Sequence, residues 1–147
     1  MTNKKHHIDT ELGHLGLSPD ENFGIPTPPI YRTSTILSSS MAQHRGDLPK
    51  PYTYGRRGTP TSEAFEHAVA SLHKADTCIS TCSGLSAIST AILSVVKSGE
   101  HALFPDSLYG SSRHFVKTLL KDFGVEVEFY PPRTNGRISE HFKNNTR

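Results

Sequence analysis

The sequence predicts an α/β protein whose sheet is incomplete and whose first third is an extended N-terminal arm. Three observations predict it. From residue 60 onward, helix-type and strand-type apolar patterns alternate in the order α-β-α-β-α-β. Residues 1–60 keep no sustained period and are punctuated by Pro26, Pro28, Pro29, Pro49, Pro51 and Pro60. The hydrophobic share is 34%, or about 41% with the 11 glycines added, against ~45–50% in soluble domains. Parallel βαβ units need helices on both faces of a sheet and more strands than three. The chain therefore reads as an arm (1–59) and the truncated start of a larger α/β domain (60–147).

Each element has a local cause. In the arm, Thr33 to Ser40 is the one plausible short strand, and sixty such residues call for a surface to lie on, such as a partner subunit. Thr59 suits an N-cap and Pro60 the first helical position, where its missing N–H costs nothing. Phe65, Ala68, Val69 and Leu72 then share one helical face, predicting a helix over 60–74. Cys78 to Cys82 reads as a short strand. Ser83-Gly84 opens a second helix with Leu85, Ile88, Ile92, Val95 and Val96 on one side, and Ser98-Gly99 stops it. His101 to Pro105 is a second strand, and residues 109–122 form a helix carrying Phe115, Leu119 and Leu120. Gly124 ends that helix, Val125, Val127 and Phe129 alternate in a third strand, and Pro131-Pro132 closes it. Ile138 to Asn144 starts another helix.

Composition excludes several classes. Lys+Arg 16 against Asp+Glu 14 gives a net charge of +2, too weak a field for a strong nucleic-acid binder. Met1 to Thr10 is basic but has no apolar stretch behind it, so no secretory signal is read there. The 20 residues from Thr77 to Val96 carry no charge, but nine are Ser, Thr or Gly, too polar for a membrane span. Cys78 and Cys82 would share a strand face and cannot sensibly bridge. They are expected to be buried free thiols of a cytoplasmic protein. The nine histidines form no defensible metal site: His6-His7 lies in the leader, and His67 and His73 fall on different helix faces.

Three clusters could carry chemistry. Tyr54-Gly55-Arg56-Arg57-Gly58 sets two guanidiniums beside a phenol, with glycines that permit close backbone approach. It could clamp a phosphate or carboxylate, or be a solvated basic loop. Thr81-Cys82-Ser83-Gly84-Leu85-Ser86-Ala87 ends a strand and starts a helix, whose N-terminus offers N–H groups to an anion, unless Gly84 only makes a tight turn. It matches neither GxxxxGK[ST] nor GxGxxG. Asp106-Ser107-Leu108-Tyr109-Gly110 follows a strand, where open α/β sheets bind ligands, and Tyr109 could offer a flat ring or simply pack.

Together the runs YTYGRRGTPT, TCSGLSAI and FPDSLYGSSRHF resemble the pyridoxal-phosphate enzymes of cysteine and methionine metabolism, of fold type I. Within that family the match is nearest to the bacterial cystathionine β-lyases. The resemblance runs from about Leu15 to the end and covers well under half of a family member. YGRRG discriminates, because the sister γ-synthases and γ-lyases more often read Y-S-R-x-G-N-P-T. Thr59 departs from their usual Asn and leaves the anion site intact.

The resemblance implies that Tyr54 and Arg56 hold the cofactor phosphate of a neighbouring subunit. It implies that Gly84 and Leu85 cup the phosphate through backbone N–H groups, and that Tyr109 stacks on the pyridine ring. Arg57 resembles a residue near the substrate's distal end. The implied cofactor is pyridoxal 5′-phosphate, and the implied assembly is a homotetramer of dimers with shared sites. The implied reaction is β-elimination of L-cystathionine to homocysteine, pyruvate and ammonia. No catalytic residue is expected in this segment. Lys4, Lys5, Lys50, Lys74, Lys97, Lys117, Lys121 and Lys143 all lie outside the context of the family's Schiff-base lysine. The rival readings are a γ-synthase or γ-lyase relative, and a non-enzymatic module that binds a phosphorylated ligand.

Overall fold

The structure, a computed structural model, describes residues 7–147. The reading of Met1 to His6 therefore lies outside the described residues. The chain divides into two compact units, Met1–Ser80 and Thr81–Arg147.

In the first unit, two short helices and a 3₁₀ turn (Pro19–Glu21) punctuate the arm; none is revealed by apolar period. Helix α1 spans Ile8–His14 and α2 spans Met41–Arg45. α2 is set by its caps. The Ser40 hydroxyl accepts from the Gln43 N–H, the Gln43 amide oxygen accepts from the Ser39 N–H, and Gly46 closes the helix in the left-handed region at φ 89°. Beyond α2 the arm folds back on itself. Thr35 and Tyr54 form an antiparallel bridge, and the Lys50 ammonium donates to the Ile36 carbonyl at 2.8 Å.

Helix α3 (Pro60–His73) begins with the expected Thr59 cap. Thr59 and Ser62 exchange side-chain and backbone hydrogen bonds in a capping box. Its apolar face is less covered than the periodicity suggests. Ala70 is buried, whereas Phe65 and Leu72 stay exposed.

The segment Cys78–Cys82 does not form the predicted strand. Among the described residues no strand lies beside it, and a strand exists only through ladder partners. The Glu66 carboxylate takes the Ser80 N–H instead, at 2.7 Å. The thiol expectation is corrected with it: Cys82 is exposed and Cys78 only half-buried.

The second unit is a parallel βαβ arrangement. Helix α4 (Gly84–Val95) leads to strand β1 (His101–Pro105). Helix α5 (Gly110–Phe115) continues as a π-type turn (Val116–Leu120), and strand β2 (Glu126–Tyr130) follows. β1 and β2 pair in parallel with His101 opposite Glu126. Side-chain alternation then sorts the two faces. Ala102 and Phe104 with Val125, Val127 and Phe129 meet Phe115, Val116 and Leu120, with Ile92 and Val96 of the α4 region packed alongside. Val116 and Leu120 are completely buried. The remainder of α4 is less protected, with Leu85, Ile88, Leu93 and Val95 exposed. Gly124, at φ 81° in the left-handed region, stands where the sequence predicts the helix to stop.

The opposite face is polar. His101 is fully buried, with Nδ1 2.8 Å from the Thr146 hydroxyl and Nε2 3.4 Å from a Glu128 oxygen. Glu128 also meets His141 at 3.0 Å and Lys143 at 3.0 Å, and Lys143 reaches Glu126 at 2.7 Å. The predicted helix at Ile138 is a 3₁₀ turn, Arg137–His141, after which residues 145–147 bond to His101.

Candidate functional site

Within the first unit the chain pins the YGRRG turn from both sides. The Gly55 N–H donates to the Ser34 carbonyl at 2.7 Å, and the Arg57 N–H donates to the Tyr54 carbonyl at 2.9 Å. Arg56 and Arg57 are exposed, and neither joins the ion pairs made by Arg113, Arg137 and Arg147. Arg57 lines a small cavity of about 230 Å³ with Tyr52, Tyr54, Glu63 and Glu66. In that wall the Tyr52 hydroxyl donates to Glu63, which pushes the phenol up to about 12. Glu66 accepts from both the N–H and the hydroxyl of Ser80, at 2.7 and 2.6 Å. The turn thus exposes two guanidiniums that join none of these ion pairs, and Arg57 shares a cavity wall with Tyr54.

Within the second unit, helix α4 starts on the Ser83 cap, whose hydroxyl accepts from the Ser86 N–H at 3.1 Å. That leaves the N–H groups of Gly84 and Leu85, which have no acceptor within their own helix. Gly84 is exposed, and a Cβ there would meet nothing within 4 Å. Two such N–H groups at a helix N-terminus can hold a phosphate. Tyr109 stands at the N-cap position of α5 and is 72% exposed. α4 and α5 pack against each other, so these two turns belong to one helix pair. In their chemistry, helix-terminal N–H donors and an exposed aromatic ring suit the phosphate and ring face of a flat phosphorylated cofactor.

Sequence reasoning missed one residue here. Arg113 clasps Asp106 through two hydrogen bonds, at 2.7 Å to the carboxylate and 2.8 Å to the carbonyl. Its guanidinium also lies 4.2 Å from the centroid of Phe129. The available signal was an aspartate at a strand end followed by an arginine one turn into the next helix.

The parallel pair β1–β2 with α4 and α5 packed beside it defines an α/β protein. The chain belongs to the Cys/Met metabolism PLP-dependent enzyme family, whose model it matches over residues 9–147. It is 41% identical over 140 residues to a Rhizobium johnstonii protein provisionally named a cystathionine beta-lyase, covering 95% of this chain and 35% of that protein. It is 34% identical over 139 residues to the cystathionine beta-lyase of Coxiella burnetii, covering 94% and 34%. The L-methionine gamma-lyase of Fusobacterium nucleatum subsp. polymorphum is 33% identical over 150 residues, covering 100% and 38%.

Solved structures agree on the fold. The metB protein of Corynebacterium glutamicum superposes with a TM-score of 0.87 at 26% identity, covering 100% of this chain and 37% of that one. Cystathionine gamma-lyase from Lactobacillus plantarum, complexed with L-serine, gives 0.84 at 27% identity, covering 97% and 35%. The fold is accordingly an incomplete fold type I domain of mixed helix and parallel sheet. The chain spans about two fifths or less of the relatives it matches.

Proposed function

We propose that this chain is the N-terminal part of a cytoplasmic cystathionine β-lyase-type enzyme. The observation that carries the reading is the YGRRG turn, with Thr59 after it, in a chain that also keeps the Gly84–Leu85 cup. In this reading the N–H groups of Gly84 and Leu85 donate to the phosphate of pyridoxal phosphate, and Tyr109 covers its ring. Tyr54 and Arg56 reach the phosphate in a neighbouring subunit, so the arm (1–59) serves a site other than its own domain's. Arg57, in the cavity with Glu63 and Glu66, faces the distal end of an amino-acid substrate. The bound cofactor supplies an electron sink that weakens the bonds at the substrate's Cα. The chain by itself offers half of a cradle and is expected to be inactive.

A γ-eliminating relative is the second reading. The identity to L-methionine gamma-lyase and the fit to a cystathionine gamma-lyase structure favour it. One experiment separates the readings: fuse residues 1–147 to the remaining part of the Coxiella lyase and supply L-cystathionine. Pyruvate with homocysteine supports β-elimination. 2-Oxobutyrate with cysteine supports the γ reading. A folded, oligomeric fusion that yields neither product, while the intact Coxiella enzyme turns over, overturns both.

A further inference from the structure

Arg113 has no part in the reading above, yet its side chain holds the start of the turn that carries Tyr109. Its guanidinium grips the Asp106 carboxylate at 2.7 Å and the Asp106 carbonyl at 2.8 Å. The far end of the turn is fixed by the first backbone bond of α5, from the N–H of residue 113 to the Tyr109 carbonyl at 2.8 Å, which brings the clasp and Tyr109 onto one helical turn. The sheet fixes the clasp from behind. The Asp106 N–H donates to the Tyr130 carbonyl at 2.9 Å, and the guanidinium lies on the Phe129 ring. Tyr109 is 72% exposed as a residue, so little packing orients its side chain and the backbone beneath it matters more.

We propose that Arg113 is a positioning residue, which locks the Asp106–Tyr109 turn so that the Tyr109 ring stands ready to receive a flat ring ligand. The inference rests on the reading of Tyr109 as the stacking residue. It is specific to arginine, because only a planar fork can bond a carboxylate and a carbonyl together while lying on an aromatic face. Lysine would keep the charge and lose the clasp.

The test compares three probes on the full 147-residue chain by equilibrium dialysis: pyridoxal 5′-phosphate, pyridoxal and inorganic phosphate. Circular dichroism checks the fold of every variant. Arg113→Ala and Arg113→Lys should each weaken pyridoxal phosphate about tenfold, the scale of one charge-assisted hydrogen bond. Inorganic phosphate, held at the Gly84 cup, should bind unchanged, which a general loosening of the unit would not allow. In a Tyr109→Ala background, Arg113→Ala should cost nothing more, because its effect runs through the ring.

If the unaltered chain binds pyridoxal phosphate no better than inorganic phosphate, the stacking role of Tyr109 fails, and this inference falls with it. If the unaltered chain shows that preference and Arg113→Lys retains all of it, the clasp is overturned while the stacking role stands. An additional loss in the Tyr109→Ala background would mean that Arg113 touches the ligand itself, and would also overturn it. Should Arg113→Ala fail to fold, Arg113→Lys and Asp106→Asn carry the comparison, with Asp106→Asn expected to lose part of the preference.

Discussion

The backbone of Gly55 runs so close to that of Thr33 that a Cβ on Gly55 would stand 2.2 Å from the Thr33 carbonyl oxygen. No side-chain adjustment relieves a clash with backbone. The two stretches cross there, and the crossing sets where the neighbouring arginines begin.

Gly55→Ala should therefore open the crossing, at a cost of about 1–3 kcal/mol, typical of overpacking. Its signature is local. The Gly55 amide, which now donates to Ser34, should lose hydrogen-exchange protection while the amides of β1 and β2 keep theirs. Retained protection at residue 55 would show that the chain tolerates the added methyl.

In the second unit, Leu120→Ala should cost about 2–5 kcal/mol, the range for a buried leucine truncated without collapse of the cavity. Leu119→Ala, one residue earlier and 45% exposed, should cost far less. Urea unfolding followed through β1 and β2 amides measures both. Equal losses would mean that the core is not centred on Leu120.

Acid should weaken the polar face of the sheet. The hydrogen bond from His141, and then that from Lys143, hold the Glu128 carboxyl down to about 2. A carboxyl depressed in the folded state stabilises fully above its unfolded range, near ~4.3, and that contribution fades as pH falls through about 2. Thermal midpoints measured across that interval should decline with acidity. Glu128→Gln should flatten part of the decline, with the remainder due to Glu126 and Glu100, whose carboxyls Lys143 and Arg147 also hold low. An identical slope in the variant would remove Glu128 from this account.

The shared-site reading makes a sharper demand. In the Coxiella fusion, Arg56→Ala should lower cofactor affinity about 10- to 150-fold by removing a charge-assisted phosphate contact. Gly84→Val should block the same phosphate by bulk. Refolding the two variants together should restore some sites, because intact Arg56 of one subunit meets intact Gly84 of another. Absence of recovery in proven mixed oligomers would put both residues in one subunit's site.

What the sequence disclosed follows the range of the forces involved. The Thr59 N-cap of α3, the helix stop at Gly124 and the alternation in β2 are local, and they stand as read. α2 was also legible, since Ser40 and Gln43 have capping-box spacing, but the helix is too short to show an apolar period. The unpaired state of Cys78–Cys82 was not legible, because a strand is made by its neighbours and not by its own residues. The start of α4 at Ser83-Gly84 was legible from the turn, whereas the phosphate role of Gly84 and Leu85 came only from the family resemblance. The spacing of Asp106 and Arg113 hinted at their pairing, but the Phe129 ring under the guanidinium was not legible, because it comes from a later strand.

The register of β1 has a consequence for any further strand. Even-numbered residues of β1 turn their N–H and C=O groups toward β2, and odd-numbered ones turn them away. His101 spends its pair on Asn145 and Arg147, so Leu103 and Pro105 form the remaining free border. Leu103 can accept a foreign strand, but Pro105 has no N–H to continue the zipper. A strand laid along this border of β1 would find one residue of ladder before Pro105 ends it.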